Sequence, residues 1–464
     1  MTPMAAAPVS AAERFYRARR IGATFGRIYL GIRANRFIAE RLRPRDMPAR
    51  WTRFNAASAK SIYEAAIELR GLILKGCQFL GSRADVLPRE YVEVLSKLQD
   101  RVPPKPFSVV KKTIERELGC DLEDLFASIE REPVASASLA QVHEAILKSG
   151  ERVAVKVQYP EIEALVRSDL ANLRMLFRTV DFMERDFDLM PLVDELATYV
   201  PRELNFVNEG HNAETVARMF AGRDDIAVPR IHWQLTTRRV LVMDFIDGIK
   251  ITNVAGLRAA GLDTNRVAQL LAEAYCEQIL RHGFFHADPH PGNLLVQRRD
   301  DGEPRLVLLD FGLAKDLPPR FREGVVAFAS ALLQGRSGEM AEALVDLGFE
   351  TRSGEPEALD AIAAFMLDAA VQLRKRGFLD RDFAAELGRE LSEQVRANPI
   401  VRMPSHLVLV GRVLGLLSGV NRTLETRIDL MATILPYVMG NPRRSAARPE
   451  PTDATAGTRK GRRS

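Results

Sequence analysis

Cysteine is scarce in this chain of 464 residues, which has only Cys77, Cys120 and Cys276 at widely separated positions. None of them belongs to a CxxC pair or to a mixed Cys/His spacing. The sequence therefore argues against a disulfide framework and against a structural zinc site. Because this use of cysteine is typical of a reducing compartment, we expect a cytoplasmic protein.

Long apolar runs are also missing. A membrane-spanning helix needs about 18 or more consecutive apolar residues, and the best candidates, near 407–417 and 430–439, are short or interrupted by Arg412. The first residues lack the apolar segment and the small-residue cleavage site of a secretory signal. We expect neither a transmembrane span nor export.

Positive charge is concentrated at the two ends. The net charge is +5, yet Ala11–Arg53 alone carries twelve Arg against three acidic residues and Asn441–Ser464 carries seven Lys or Arg against two. The rest of the chain is therefore acidic. Basic ends suit an anionic membrane surface, whereas the missing interleaving of aromatic and basic residues argues against nucleic acid.

The first helical pattern, from Glu13 to about Leu42, allows two interpretations. It can lie on an anionic membrane, or its apolar stripe can dock on the rest of the protein while its arginines face water. The stripe is Ile21, Phe25, Ile28 and Ile32, with Arg20, Arg27 and Arg33 interleaved. A second helical pattern runs from Ala56 to Leu80. Together the two patterns predict a helical extension, and the prolines that follow mark its end.

The remainder of the sequence predicts an α+β fold with two lobes. A small-residue run leads into a turn and the alternating strand Arg152–Val157, and a further strand ends at Gly248. After Gly248 the pattern is mostly helical, apart from short strands at Leu294–Gln297 and Leu306–Leu309. A strand-rich lobe followed by a helix-rich lobe is the arrangement that this order favours.

Three motifs carry chemistry, and they occur in the order found in protein kinases. Asp288 and Asn293 are five residues apart, as are the kinase catalytic base and the following magnesium ligand. Asp310 opens a DFG triplet after an apolar strand, where a second carboxylate chelates magnesium. Lys156 ends the strand motif VAVK, whose lysine pairs the nucleotide phosphates.

Each motif alone has a simpler interpretation. A lysine in an apolar strand is usually a surface side chain whose stem alone is buried. His286 and His290 are four apart, but they lie outside a helical pattern, with Pro289 between them and Pro291 directly after, which makes transition-metal ligation a poor interpretation. The order of all three motifs favours phosphoryl chemistry. For the carboxylate partner of Lys156 we predict Glu203, with Glu209 as the second choice.

These features together resemble the UbiB (AarF, ADCK) family of atypical kinases. Its KxGQ element corresponds to Lys75-Gly76-Cys77-Gln78, with Cys77 where the family has Gly. Its Ala-rich loop, which replaces the kinase Gly-rich loop, corresponds to Ala135-Ser136-Ala137-Ser138, and its Glu-x-Asp element to Glu203-Leu204-Asn205, where Asn205 replaces Asp. The catalytic loop reads FHADPHPGN.

The resemblance implies a bilobal protein-kinase-like fold that binds ATP or ADP and Mg²⁺. Asp288 would be the catalytic base, acting with Lys156 and Glu203, while Asn293 and Asp310 would hold magnesium. Lys75 and Gln78 would be regulatory, lying across the site. The implied nucleotide contacts are Ala135, Ser136, Ala137, Ser138, Lys156, Met243, Asp244 and Ile246.

We predict four segments: a basic helical extension carrying the KxGQ-like element (1–105), an N-lobe (106–247), a C-lobe (248–440) and a basic disordered tail (441–464). The implied function is a kinase or ATPase that supports isoprenoid-quinone or other lipid metabolism at the inner face of a membrane. The alternative is a pseudokinase-like scaffold or lipid chaperone. No APE follows the DFG triplet, which disfavours protein phosphorylation in trans. A homodimer is left open, and no nucleic acid is expected.

Overall fold

The computed structural model describes residues 10–41, 46–81, 87–99, 104–183, 190–351, 357–376, 400–402, 405–426, 428 and 430–438. The predicted tail at 441–464 lies outside the described residues. None of the helices in these ranges is long and apolar enough to cross a membrane.

The N-terminal extension is helical, as predicted. Its apolar side chains form one core with two helices of the first lobe, Ile162–Met183 and Met190–Glu203, and Leu72 and Leu74 are almost completely buried in that core. The elements are α1 (Ala11–Arg41), α2 (Met47–Leu69), α3 (Gly71–Gly81), α4 (Arg89–Leu95) and a 3-10 turn (Ser96–Gln99).

The single helix predicted from Ala56 to Leu80 is wrong, because α2 and α3 are separate. Arg70 and Gly71 both have positive φ, 54° and 56°, which ends α2 and redirects the chain. Glycine adopts this conformation without strain. The hydrophobic spacing continues through the break, since Leu69 and Leu72 are both buried, so periodicity alone did not reveal it.

The apolar stripe of α1 docks on the protein itself, which confirms the second of the two interpretations. Ile21 is buried, and the Phe25 ring meets the Phe177 ring edge-on with 5.6 Å between centroids. Beside them, Arg17 donates to both oxygens of Asp169 and to the carbonyl of Leu69. The Arg17 and Asp169 side chains are almost completely buried.

We expect Arg17→Ala to lower the free energy of unfolding by about 3–5 kcal/mol, because it leaves the Asp169 carboxylate buried without its cation. Urea denaturation followed by circular dichroism measures the change. Arg19→Ala, at an exposed position of the same helix, is the matched control and should change stability little. Equal effects of the two substitutions would contradict a stabilising role for the buried pair.

The first lobe is built on a five-stranded sheet with the order β1-β3-β4-β6, in which β2 pairs with β3. Strands β3 and β4 form the predicted hairpin, and β4 pairs antiparallel with β6 so that Lys156 lies opposite Leu241. The elements are α5 (Phe107–Leu118), α6 (Leu122–Leu125), β1 (Phe126–Ile129), β2 (Ala135–Ser136), β3 (Ala140–Leu147), β4 (Arg152–Gln158), α7 (Ile162–Met183), α8 (Met190–Glu203), α9 (Phe206–Met219), β5 (Ile226–Ala227), a 3-10 turn (Trp233–Leu235) and β6 (Val240–Asp244).

The second lobe is mainly helical around a four-stranded sheet, β5-β10-β9-β7, and the two-stranded pair β8–β11. Its elements are β7 (Ile249–Lys250), α10 (Val254–Ala259), α11 (Thr264–Cys276), a π-helical turn (Glu277–His282), β8 (Phe284–His286), a 3-10 turn (Pro291–Asn293), β9 (Leu294–Arg298), β10 (Pro304–Leu308), β11 (Ala314–Asp316), α12 (Pro319–Gln334), α13 (Ser337–Asp346), β12 (Glu350–Thr351), α14 (Glu357–Arg376), β13 (Ile400–Arg402), α15 (Ser405–Thr423) and α16 (Leu430–Val438). The two-lobed α+β prediction is confirmed.

Candidate active site

Lys156 lies at the centre of a charged cleft between the two lobes. Its Nζ is 2.7 Å and 3.0 Å from the two carboxylate oxygens of Glu209, and 3.3 Å from Oδ2 of Asp310. The stem of Lys156 is held in the buried strand β4, and Nζ lies 5.2 Å from the centroid of the Phe206 ring. One ammonium group therefore links a helix of the first lobe to the DFG triplet of the second.

The predicted pairing of Lys156 with Glu203 is wrong, and the second choice, Glu209, is the observed partner. Glu203 is the last residue of α8, whereas Glu209 lies in the first turn of α9. The chain turns between them at Asn205, whose side chain caps α9 by accepting from the Val207 N–H at 3.2 Å. Asparagine is as good an N-cap as aspartate, so the departure from Asp at this position preserves the cap.

Glu203 instead binds Lys75 of the KxGQ-like element, with 2.8 Å between Nζ and Oε2. The pKa of Lys75 is raised: burial acts to lower it, but the carboxylates of Glu203, Asp288 and Asp310 outweigh burial. The ammonium group of Lys75 is therefore a second cation in the same cleft. The extension thus contributes directly to the charge of the site.

Gln78 does not accompany Lys75 into the cleft. Its Nε2 donates to the Leu98 carbonyl at 3.0 Å and so ties α3 to the 3-10 turn that follows α4. Cys77 is buried in the core of the extension, and burial raises the pKa of its thiol to about 12. Gly76, rather than residue 77, faces α8: a Cβ there would lie 3.4 Å from Leu196 Cδ1, which is an ordinary contact.

The two carboxylates that contact Lys156, those of Glu209 and Asp310, have pKa values shifted in opposite directions. Burial raises the pKa of Glu209 to about 7, although Lys156 opposes the shift. For Asp310, burial acts in the same upward direction, but Lys156, Lys75 and His286 outweigh it and lower the pKa to about 2. At neutral pH Asp310 is therefore fully ionised, which is the state that a magnesium ligand requires.

Buried His286 connects the catalytic-loop segment to the DFG triplet by hydrogen bonds. Its Nε2–H donates to the Asp310 carbonyl at 2.6 Å, and its Nδ1 accepts from the Tyr275 hydroxyl at 3.2 Å and from the Asp288 N–H at 3.3 Å. Gln278 accepts from the backbone N–H of His286 at 2.9 Å. His286 thus acts as a positioning residue.

Asn293 and Asp310 are brought side by side by the sheet. Strand β9 pairs with β10, and the Leu309 N–H donates to the Asn293 carbonyl at 2.9 Å. The Asn293 amide reaches back to the Asp288 carbonyl at 3.3 Å, so the three motif residues share one end of the cleft. Asp310 has a positive φ of 57°, a conformation that aspartate tolerates better than most residues.

This donor set fits magnesium. Among the described residues, no three His, Cys, Asp or Glu side chains form a group that could hold a metal ion. Magnesium usually takes one or two protein oxygen ligands together with substrate phosphates and water, and the carboxylate of Asp310 with the amide oxygen of Asn293 supplies that pattern. Two protein ligands are sufficient only where a nucleotide completes the coordination.

The Ala-rich loop is tightly held. Ala135 and Ser136 form β2, and the Ser136 hydroxyl lies 3.0 Å from the Tyr159 hydroxyl, which also donates to the Ala137 carbonyl at 3.3 Å. Ser138 is buried. Tyr159 thus ties the loop together and engages the hydroxyl of Ser136, one of the implied nucleotide contacts.

The strand that joins the lobes carries the three other implied nucleotide contacts. Met243 packs partly buried against the core of the second lobe. The Asp244 carboxylate accepts from His232 Nε2 at 2.8 Å, and Asp244 and Ile246 also line a separate cleft.

Sequence reasoning missed Tyr275 and Gln278, which orient His286. Both lie in helical segments with ordinary apolar periodicity, and no local pattern marks them. Tyr275 is almost fully buried and Gln278 completely so. Buried polar side chains have hydrogen-bond partners as a rule, but the partner is identified only when the fold is known.

Comparison with known proteins gives this arrangement a family. The model of the ABC1 atypical kinase-like domain matches residues 97–344, more than half of the chain. The chain belongs to the ABC1 atypical kinase-like family. The matched region of this ABC1 protein includes Lys156, Glu209, Asp288, Asn293 and Asp310, and the predicted resemblance to AarF and ADCK proteins is confirmed.

Two curated relatives support this family assignment. The chain is 33% identical over 412 residues to Protein ACTIVITY OF BC1 COMPLEX KINASE 8, chloroplastic, of Arabidopsis thaliana, covering 82% of this chain and 54% of that protein. It is 41% identical over 266 residues to AarF domain-containing protein kinase 1 of Mus musculus, covering 57% and 51%. The ABC1 chain thus spans about half the length of these two relatives.

A solved structure shows the same fold. The complex of Rv3197 with erythromycin, from Mycobacterium tuberculosis, superposes with a TM-score of 0.59 at 23% identity, covering 81% of this chain and 94% of that chain. The predicted bilobal, kinase-like fold with an N-terminal extension is thereby confirmed.

Proposed function

We propose that this ABC1 protein binds magnesium-ATP and transfers or hydrolyses its terminal phosphoryl group. The observation that carries the proposal is the position of Lys156, whose Nζ contacts Glu209 at 2.7 Å and lies 3.3 Å from the carboxylate of Asp310. A lysine held between a helix carboxylate and the DFG aspartate is the arrangement that catalytically competent kinases require.

Each residue then has a defined task. Lys156 pairs the α- and β-phosphates, and Glu209 keeps its ammonium group in place. Asp310 and Asn293 hold magnesium, which neutralises charge on the phosphates. Asp288 accepts the proton of the attacking hydroxyl or water. Comparing ATP turnover by the wild-type chain and by Asp310→Asn tests the proposal.

The acceptor is better sought among water and small or lipid-like molecules than among proteins. After Gly312 the chain forms β11 (Ala314–Asp316), and α12 begins at Pro319. This interval is too short for the long activation segment on which protein kinases dock peptides. Lys75 also occupies the cleft near Asp288 and Asp310 and adds a barrier to a large acceptor.

A membrane surface is the proposed place of action. The docked face of α1 leaves an opposite face that combines exposed aromatic and aliphatic side chains with arginines. Phe15, Leu30 and Phe37 are 72%, 67% and 59% exposed. Positions in helical register with them, all exposed, are Arg19, Arg33 and Arg41. Large apolar side chains flanked by arginine suit the boundary of an anionic bilayer.

We expect the triple substitution Phe15→Ser, Leu30→Ser and Phe37→Ser to weaken binding to phosphatidylglycerol-containing vesicles at least about tenfold, because three apolar anchors are lost. Vesicle co-sedimentation measures the affinity. The control replaces three exposed apolar residues elsewhere, Val134, Met175 and Val345, by Ser. Binding that both triple substitutions reduce equally would contradict a specific role for α1.

At such a surface the acceptor would be an isoprenoid-quinone precursor or another lipid. The second candidate is a scaffold or lipid chaperone that uses ATP as a conformational ligand without phosphoryl transfer. The Lys75–Glu203 ion pair favours it, since a cation fixed in the cleft restrains access to Asp288. Negligible turnover by the wild-type chain, with retained ATP binding, would decide for this candidate.

A further inference from the structure

A second cleft of about 760 Å³ lies where the sheets of the two lobes meet, behind the segment that joins them. Its apolar lining includes Phe220 at the end of α9, the two residues of β5, and Phe245 and Ile246. Lys156, Asp288, Asn293 and Asp310 do not line it. Its volume is in the range of small-molecule sites.

The rim of this cleft is charged but internally neutralised. Arg152 binds Asp247 at 2.6 Å and Glu144 at 2.7 Å, and its guanidinium group lies 4.6 Å from the centroid of the Phe245 ring. Arg230 binds Glu151 at 2.6 Å and approaches Asp244 at 3.5 Å. Because these contacts pair the acidic residues of the rim with arginines, the rim offers no unpaired carboxylate to a cationic ligand.

Arg305 of β10 is different. Of the charged residues that line the cleft, all within the described ranges, it alone has no ion pair or hydrogen bond of its side chain. Its Nε is buried and has no acceptor. A guanidinium group cannot lose its charge, and a buried donor without an acceptor is costly. The fold therefore holds a permanent, unneutralised cation against an open cleft.

We propose that this cleft binds a small molecule that carries an oxyanion, either a carboxylate or a phosphate monoester, on an apolar or aromatic body. The oxyanion accepts from Arg305, whose forked donors match both groups. The body lies over Phe220 and against Phe245 and Ile246, which supply the apolar surface of the cleft. The ligand contacts both lobes, since Arg230 belongs to the first and Arg305 to the second.

The site is independent of the proposed nucleotide cleft. Asp244 and Ile246 belong to its lining, whereas Lys156, Asn293 and Asp310 do not. Binding here should therefore survive loss of the nucleotide site. The proposal stands even if the chain neither binds nor hydrolyses ATP.

Isothermal titration calorimetry with benzoate, phenyl phosphate and inorganic phosphate tests the proposal on the full chain. We expect at least one of the two aromatic probes to bind more tightly than inorganic phosphate, and Arg305→Gln to weaken that binding about tenfold or more through loss of a charge-assisted contact. Arg298→Gln is the matched control, because it removes an exposed arginine of the neighbouring strand that does not line the cleft.

Two further variants make the test decisive. Ala217→Trp fills the cleft from an exposed position of α9 and should block binding without disturbing a core, which covers the case in which Arg305→Gln fails to fold. Lys156→Ala should bind the probe as the wild type does. The proposal is overturned by equal binding to Arg305→Gln and Arg298→Gln, by loss of binding in Lys156→Ala, by equal affinity for inorganic phosphate, or by no binding of either aromatic probe.

Discussion

Replacing Asp310 by Asn should reduce magnesium-dependent ATP turnover at least about 100-fold, because the substitution removes the carboxylate charge that we propose binds magnesium. Asp310 is suited to this task since the cations around it lower its pKa to about 2. Asparagine keeps the shape of the side chain and can still occupy the space beside Lys156. The loss should therefore appear in kcat rather than in folding.

The measurement is ATP hydrolysis by the purified chain with anionic vesicles present, with magnesium varied. Asp316→Asn is the matched control, since Asp316 is an exposed aspartate of β11 six residues further along the chain. Its turnover should equal that of the wild type. Turnover that is measurable in the wild type and unchanged in Asp310→Asn would refute the assigned metal site, whereas negligible turnover in all three chains would favour the scaffold.

Lys156→Ala should weaken magnesium-ATP binding about tenfold or more, because it removes a desolvated cation that two carboxylates hold ready for the phosphates. Without it, the carboxylates of Glu209 and Asp310 face each other across the cleft and repel the nucleotide. In the wild type the pKa of Lys156 is raised: burial acts to lower it, but Asp310 and Glu209 outweigh burial and keep the ammonium group charged.

Equilibrium binding of a fluorescent ATP analogue measures this effect. Lys156→Met, which retains the volume of the stem in β4, separates lost charge from a packing defect, and it should bind as weakly as Lys156→Ala. Lys250→Ala, at an exposed lysine of β7, is the matched control. Wild-type affinity in Lys156→Met would remove Lys156 from the phosphate site and leave its ion pair with Glu209 as a structural contact.

The candidate site residues could be predicted from the sequence because their motifs are defined by short spacings along the chain. The five-residue spacing from Asp288 to Asn293, the strand before Asp310 and the alternation around Lys156 all depend on neighbours in sequence. The predicted strands followed from the same local rules. The break at Arg70 did not, because hydrophobic spacing continues across it while the backbone reverses.

Contacts between distant residues required the tertiary structure. The sequence favoured Glu203 as the partner of Lys156, but the turn at Asn205 places Glu209, 53 residues from Lys156, in that position. Only the tertiary structure likewise showed that His286 donates a hydrogen bond to the Asp310 carbonyl, 24 residues away, and which face of α1 is buried.

The sequence alone thus determined the family and the two-lobed architecture and predicted the residues for phosphoryl chemistry, since these depend on residue type, order and local spacing. Only the tertiary structure decided which carboxylate holds Lys156, that Lys75 enters the cleft while Gln78 does not, and that Arg305 faces a cleft without a counter-ion. The physical reason is that ion pairing and burial depend on which distant side chains the folded backbone brings within a few ångströms.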